Sequence, residues 1–246
     1  MTSAPHRILV VTAVAAERDA VLAGRRAAAG TVAGLPVHRA LTPAGLVDAV
    51  SGGVGPVAAA VSTGRLLGQG YDVVISAGIA GGFPPAEVGT LVVADAVVHA
   101  DLGAETADGF SSMAELGWGE VRHGLDPALV TEIRRRTGAR AGAVLTVSTA
   151  TGSRRRTEQL LAAHPDALAE AMEGFGCYLA AAAAGVPFAE LRAIANPVGP
   201  RQRESWRIAD ALTALTVAFS DLLAAPLPAG GGRAAMLPAE NPGVHR

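Results

Sequence analysis

The sequence predicts an α/β fold: a single three-layer domain with a mixed, largely parallel central sheet and helices on both faces. Three observations predict it. Apolar runs rich in Val and Ile, each bounded by Gly, Pro or polar clusters, alternate with stretches of helical length. Half of the 246 residues are apolar, enough to bury a sizeable core in a chain short enough for one domain. Aromatic residues make up only 4% while Ala and Gly are abundant, so the core must rest on Ala, Val, Leu and Ile at close backbone approach, as helices packed tightly on a sheet require.

In chain order, strands are expected at Arg7–Thr12, Leu46–Ser51, Asp72–Ala77, Leu91–His99, Ala143–Val147 and Phe188–Ala195. Helices are expected at Glu17–Arg26, Pro56–Leu67, Pro127–Thr137, Ala167–Ala184 and Ser205–Ala224. Asp101–Asp126 is the longest irregular stretch, and its Phe110, Met113 and Trp118 suit a lid or an oligomer contact. The domain is thus expected over 1–224. Residues 225–246 shift to Pro, Gly and Ala without periodicity and read as a disordered tail.

Composition excludes several classes of function. Net charge is −2 and no Lys is present, so nothing points to a nucleic-acid partner, and the triplets Arg134–Arg136 and Arg154–Arg156 read as solvated faces. No apolar run has the length of a membrane span, and a short polar lead enters the first strand directly, so a soluble, cytoplasmic protein without a membrane partner is expected. Cys177 is the only cysteine, which rules out an intrachain disulfide and a cysteine metal cluster; in its Ala-rich helix it reads as an inert core thiol. Neither an H-E-x-x-H pair nor a G-x-S-x-G elbow is present, and no cofactor or metal is expected.

Five segments hold the candidate chemistry. Gly53-Val-Gly55-Pro-Val-Ala58 matches a dinucleotide turn in form, but it follows the second strand, and the next strand ends in Ser-Ala-Gly with no acidic residue for a ribose diol. It can equally be a tight strand-to-helix turn or the wall of a ligand pocket. Ser76-Ala-Gly-Ile-Ala-Gly-Gly-Phe83 is a glycine-rich turn at a strand's C-terminal end, where a flat ligand can approach the backbone closely. Glu17 opens a helix behind an uncharged run, either as a complement to the helix dipole or as a reactive carboxylate. Glu173, in Met172-Glu173-Gly-Phe-Gly176, leads into a buried segment and needs partners or a task. Asn196 ends an apolar strand before Pro197, as a turn signal or as an amide facing the crevice.

Taken in order, these segments resemble the purine nucleoside phosphorylase and methylthioadenosine nucleosidase superfamily over about residues 7–223. The resemblance implies a nucleoside phosphorylase-like fold, a small-molecule purine nucleoside as substrate, and at least a homodimer. It also implies catalytic roles for Glu17 (activation of water), Glu173 (ribose and the sugar cation) and Asn196 (the purine). Val14, Val54, Gly78, Ile79, Ala80, Gly81, Thr151, Met172 and Trp206 become the implied substrate contacts, and Arg201 or Arg203 a partner for a carboxylate at the far end of the substrate. The phosphorylases carry a phosphate-binding G-x-P-x-R segment after the first strand; Thr12-Ala-Val-Ala-Ala-Glu17 stands there instead, so the resemblance implies a hydrolase. Asn replaces the nucleosidases' Asp at 196, and Thr151 stands near their adenine-side aromatic. With Met172–Gly176 and Asp108-Gly-Phe110, these departures resemble a branch that releases hypoxanthine from a nucleoside bearing a benzoate arm. A methylthioadenosine-type nucleosidase, a NAD-dependent oxidoreductase and a non-catalytic nucleoside-binding module remain the alternatives.

Overall fold

The structure is a computed structural model and describes residues 6–228. Its elements follow in chain order. They begin with β1 (Arg7–Thr12), α1 (Ala15–Leu22), β2 (Ala27–Val32), β3 (Leu35–Thr42), β4 (Gly45–Ser51), α2 (Pro56–Leu67), β5 (Val73–Gly82) and β6 (Leu91–His99). The second half comprises β7 (Gly103–Thr106), β8 (Gly109–Ser112), β9 (Arg122–Gly124), α3 (Pro127–Thr137), β10 (Arg140–Thr146), α4 (Arg154–Ala163), β11 (Ala167–Ala171), α5 (Gly174–Ala183), β12 (Phe188–Pro197) and α6 (Ile208–Leu222).

The sheet runs β11-β10-β6-β12-β5-β1-β4-β3-β2. Strands β4, β1, β5 and β12 pair in parallel, as do β6, β10 and β11; the two groups meet antiparallel where β12 joins β6. Because β5 is long, its C-terminal end also pairs antiparallel with β11, at Gly81–Glu170 and Gly82–Ala169, which closes a ring of five strands. Both faces of the sheet are covered. Along β1, Ile8 and Val10 enter a core with Val21 of α1 and Leu215 and Phe219 of α6, while Leu9 and Val11 enter a second core with Ala59 and Leu66 of α2 and Phe175 of α5. That alternation is the period of two expected of a strand buried on both sides.

Several expectations need correction. Ala167–Ala184 is not one helix: Ala167–Ala171 is a strand and only Gly174–Ala183 is helical. The Ala-Leu-Ala-Glu-Ala run favours a helix locally, but every residue of it is buried and it pairs on both sides, so tertiary context decides. The hairpin β2–β3 and helix α4 were not anticipated, and Asp101–Asp126 carries the hairpin β7–β8 and the strand β9. Arg136 is not on a solvated face, because its guanidinium is nearly buried between Glu132 and the carbonyls of Leu222, Ala225 and Pro226. Thus residues 225 and 226 are tied to α3; the rest of the expected tail, beyond 228, lies outside the described residues.

Candidate active site

The C-terminal ends of β1, β5, β12 and β11 converge on one cavity of about 290 Å³. Its wall includes Glu17, Glu173 and Asn196 together with Val14, Val54, Ile79, Ala80, Gly81, Thr151, Met172 and Trp206. Of the nine implied substrate contacts at 14, 54, 78–81, 151, 172 and 206, Gly78 does not line it.

Glu17 sits in the first turn of α1, only 4% exposed. Its Oε2 accepts from the backbone N–H of Ala13 (2.9 Å) and Val14 (3.2 Å), and its Oε1 from Ile79 N–H on β5 (2.9 Å). Backbone amides thus fix the carboxylate in the first helical turn, and since an ionised carboxylate has about four acceptor sites, these three hydrogen bonds do not exhaust it. Glu173, 6% exposed, stands at the junction of β11 and α5. It accepts from Gly55 N–H (3.1 Å) and from Met172 N–H (3.3 Å). Gly55 holds φ at +93°, a backbone that only glycine adopts freely, so the 53–58 turn serves to aim an amide at Glu173. The amide a dinucleotide pyrophosphate would need is thereby already engaged.

Behind the cavity lies a charge cluster that the sequence reading missed. Arg192 is fully buried on β12; its Nε donates to Glu190 (2.9 Å), its Nη2 to Ser76 Oγ (2.8 Å), and its Nη1 lies 3.7 Å from Glu173 Oε2. Burial alone would lower its pKa, yet the charges of Glu190, Glu173 and Glu17 more than offset that, so it stays a cation. Arg192 is the register partner of Gly78, and a Cβ on Gly78 would stand 2.5 Å from Glu17 Oε1 and 2.7 Å from Arg192 Nη1. Gly78 therefore shapes the site from behind by leaving room for the cation and the carboxylate. Burial pushes the Glu190 carboxyl up against the opposing pull of Arg192. The available signal was two charged residues at positions 190 and 192 of an otherwise apolar strand, on one face of it.

Glu170 was also missed. It is 8% exposed on the cavity wall, where its carboxylate accepts from Thr151 N–H (2.8 Å) and Thr151 Oγ (2.5 Å). Burial raises its pKa, and the Thr151 hydrogen bonds oppose that rise. Asn196 is half-buried, and one amide N–H donates to Pro197 O (2.8 Å). At the mouth, the Arg201 guanidinium lies 5.1 Å from the Trp206 ring and lines the cavity, whereas Arg203 does not. Cys177 is fully buried, its thiol pushed up to about 11 by burial, in keeping with an inert core group. Among the described residues no cluster of His, Cys, Asp and Glu has the form of a metal site.

Residues 7–225 match the family described as the phosphorylase superfamily. The chain is 55% identical to futalosine hydrolase of Streptomyces coelicolor, over 87% of this chain and 94% of that protein. It is 43% identical to futalosine hydrolase of Acidothermus cellulolyticus, over 92% and 94% respectively. Among solved structures, a 5′-methylthioadenosine/S-adenosylhomocysteine nucleosidase from Colwellia psychrerythraea in complex with adenine superposes with a TM-score of 0.77 at 20% identity, covering 91% of this chain and 98% of that one.

Proposed function

We propose that this chain, which belongs to the phosphorylase superfamily, hydrolyses the N-glycosidic bond of futalosine, giving hypoxanthine and dehypoxanthine futalosine. The observation that carries the reading is the pair of buried carboxylates, Glu17 and Glu173, on the wall of a cavity that also presents Asn196, in a chain so similar to futalosine hydrolases. By that similarity its place is in the futalosine route of menaquinone biosynthesis.

Cleavage passes through a ribosyl cation, so the site must stabilise positive charge on the sugar and negative charge on the departing purine. Glu173 accepts from ribose hydroxyls and faces the developing cation, while Arg192 behind it fixes the carboxylate. Glu17 takes a proton from a water molecule as its oxygen bonds to the anomeric carbon. The C1′–N9 bond breaks, its electron pair leaves with the base, and the second amide N–H of Asn196 hydrogen-bonds N7 or O6 of that anion. Val14, Val54 and Trp206 wall the non-purine arm, and Arg201 pairs with its carboxylate.

The protein is proposed to act in the cytoplasm as a homodimer or larger oligomer. Val57 and Val61, exposed one turn apart on α2 beside Val54 of the cavity mouth, give such an assembly an apolar face, and light scattering after size exclusion measures it. The decisive assay follows base release from futalosine with and without inorganic phosphate. The expected rate is the same in both; phosphate dependence with formation of a ribose 1-phosphate would refute hydrolysis.

A further inference from the structure

Glu190 lies on the same face of β12 as Arg192, is fully buried, and takes no part in the reaction sequence above. Register sets what surrounds the pair: Glu190 is paired with Ser76 of β5, and Arg192 with Gly78. The guanidinium is anchored at two points, Nε on Glu190 Oε1 (2.9 Å) and Nη2 on Ser76 Oγ (2.8 Å). Its third edge is not. Nη1 is buried with no hydrogen-bond partner among the described residues, although Glu173 Oε2 is only 3.7 Å away. A charge-assisted N–H···O pair closes to about 2.8 Å, so Nη1 stops about 1 Å short of a bond that would satisfy it. An unbonded buried donor is costly, so something has to hold it there.

The Glu190 carboxylate cannot yield. A Cβ on Gly174 would collide with both of its oxygens, so the group is wedged between the Gly174 backbone and the guanidinium. Gly174 directly follows Glu173 and opens α5, and the wedge therefore ties Arg192 to the turn that carries Glu173. The other groups around Arg192 do not supply that restraint. Glu17 of α1 and Glu173 both attract it toward the cavity. Cys177 of α5 is a buried thiol that accepts from the Thr63 hydroxyl of α2, and the register partner of Arg192 on β6 is the apolar Val92.

Resting on the reading of Glu173 as the carboxylate that faces the ribose, we infer that Glu190, with Ser76, is a positioning residue that holds the Arg192 cation just outside hydrogen-bond reach of Glu173. From there the cation orients Glu173 and leaves it free to act on the sugar. Glu173 already accepts from the Gly55 and Met172 amides. A direct bond to Arg192 would occupy a further acceptor site and weaken the negative field that the carboxylate presents to the sugar cation.

The test starts with Glu190→Met, which keeps the length of the side chain and removes the acceptor, so that Arg192 settles on Glu173. A crystal structure of this variant should show Nη1 about 2.8 Å from Glu173 Oε2. With futalosine, kcat should fall at least about tenfold while KM changes less than about threefold, since displacements of about 1 Å act on the chemical step. The acid limb of kcat should move to lower pH, because a closer cation favours the ionised carboxylate; a packing defect alone would not move it. Glu190→Gln returns an oxygen acceptor without the charge and should recover most of the lost kcat. A gap still at 3.7 Å in the Glu190→Met crystal, or an unmoved acid limb, overturns the inference. So does a Glu190→Gln variant as slow as Glu190→Met. Should Glu190→Met not fold, Ser76→Ala removes the other anchor and should close the same gap and move the limb the same way; neither change there also overturns the inference. The crystal distance needs no substrate, so it decides the inference even if the wild type releases no base from futalosine, a result that would sink only the proposed function.

Discussion

At the residue scale, two carboxylates at similar burial are held by different partners, and their replacement should separate the roles. Both feel the buried Arg192 cation, but Glu17 is held by three backbone amides, whereas Glu173 accepts from two and lies 3.7 Å from the Arg192 guanidinium. Glu17→Gln removes the proposed base, and Glu173→Gln the charge proposed to face the sugar cation; each should lower kcat for futalosine by about 10²-fold or more. Near-normal kcat in a folded Glu17→Gln protein would leave that residue only its helix-terminal role. Asn196→Asp should lower kcat/KM for futalosine and raise the relative rate on its 6-amino analogue, because a carboxyl can accept from N6. An unchanged preference would reduce Asn196 to a turn residue before Pro197. Glu17, Glu173 and Asn196 could be read in the sequence because each stands at an element boundary, where open sheets put their ligands. Glu190 and Arg192 left one signal, two charges on one face of an apolar strand, but their partners, like those of Glu170, depend on which strands pair and in what register.

At the element scale, β1, β4, β5, β6, β10 and β12 were legible from their apolar runs, whereas β11, α4 and the β2–β3 hairpin were not. Strand β11 has helix-forming residues in a strand environment, α4 hides its single buried residue, Leu160, among charges, and β2 is mostly exposed and Ala/Gly-rich. Packing of α5 against α2 gives an element-level prediction. A Cβ on Gly176 would collide with the backbone carbonyl of Pro56, which no rotamer change can relieve. Gly176→Ala should therefore destabilise the fold by about 1–3 kcal/mol, read as a lower Tm. It should also disturb the Gly55–Glu173 hydrogen bond nearby, lowering kcat more than an equally destabilising change on α3 does.

At the scale of the whole molecule, a buried carboxylate outside the cavity should set the acid limit of stability. Asp48 is fully buried and accepts from Arg39 Nε (2.6 Å), Arg39 Nη2 (2.7 Å) and the Tyr71 hydroxyl (2.7 Å). Burial pushes its pKa up, but the Arg39 and Tyr71 hydrogen bonds and the Arg39 and Arg7 charges outweigh it and hold the carboxyl below its ordinary value. A depressed folded pKa adds stability that is complete above the unfolded value of about 3.9 and lost as pH falls through the folded one. Tm should drop below about pH 4, and Asp48→Asn should flatten that drop at a cost of about 2 kcal/mol near neutrality. A Tm profile with the same acid slope in both proteins would assign the limit to other groups. The position of β12 has a consequence in time. Among the described residues it is the last strand in chain order, yet it lies between β5 and β6 and joins the two parallel groups. A growing chain can pair β1, β4 and β5, and separately β6, β10 and β11, but each half exposes a strand edge until β12 emerges. The sheet is therefore completed by one late insertion that delivers Arg192 and Asn196 together, and amides of β5 and β12 should gain protection in the same kinetic phase.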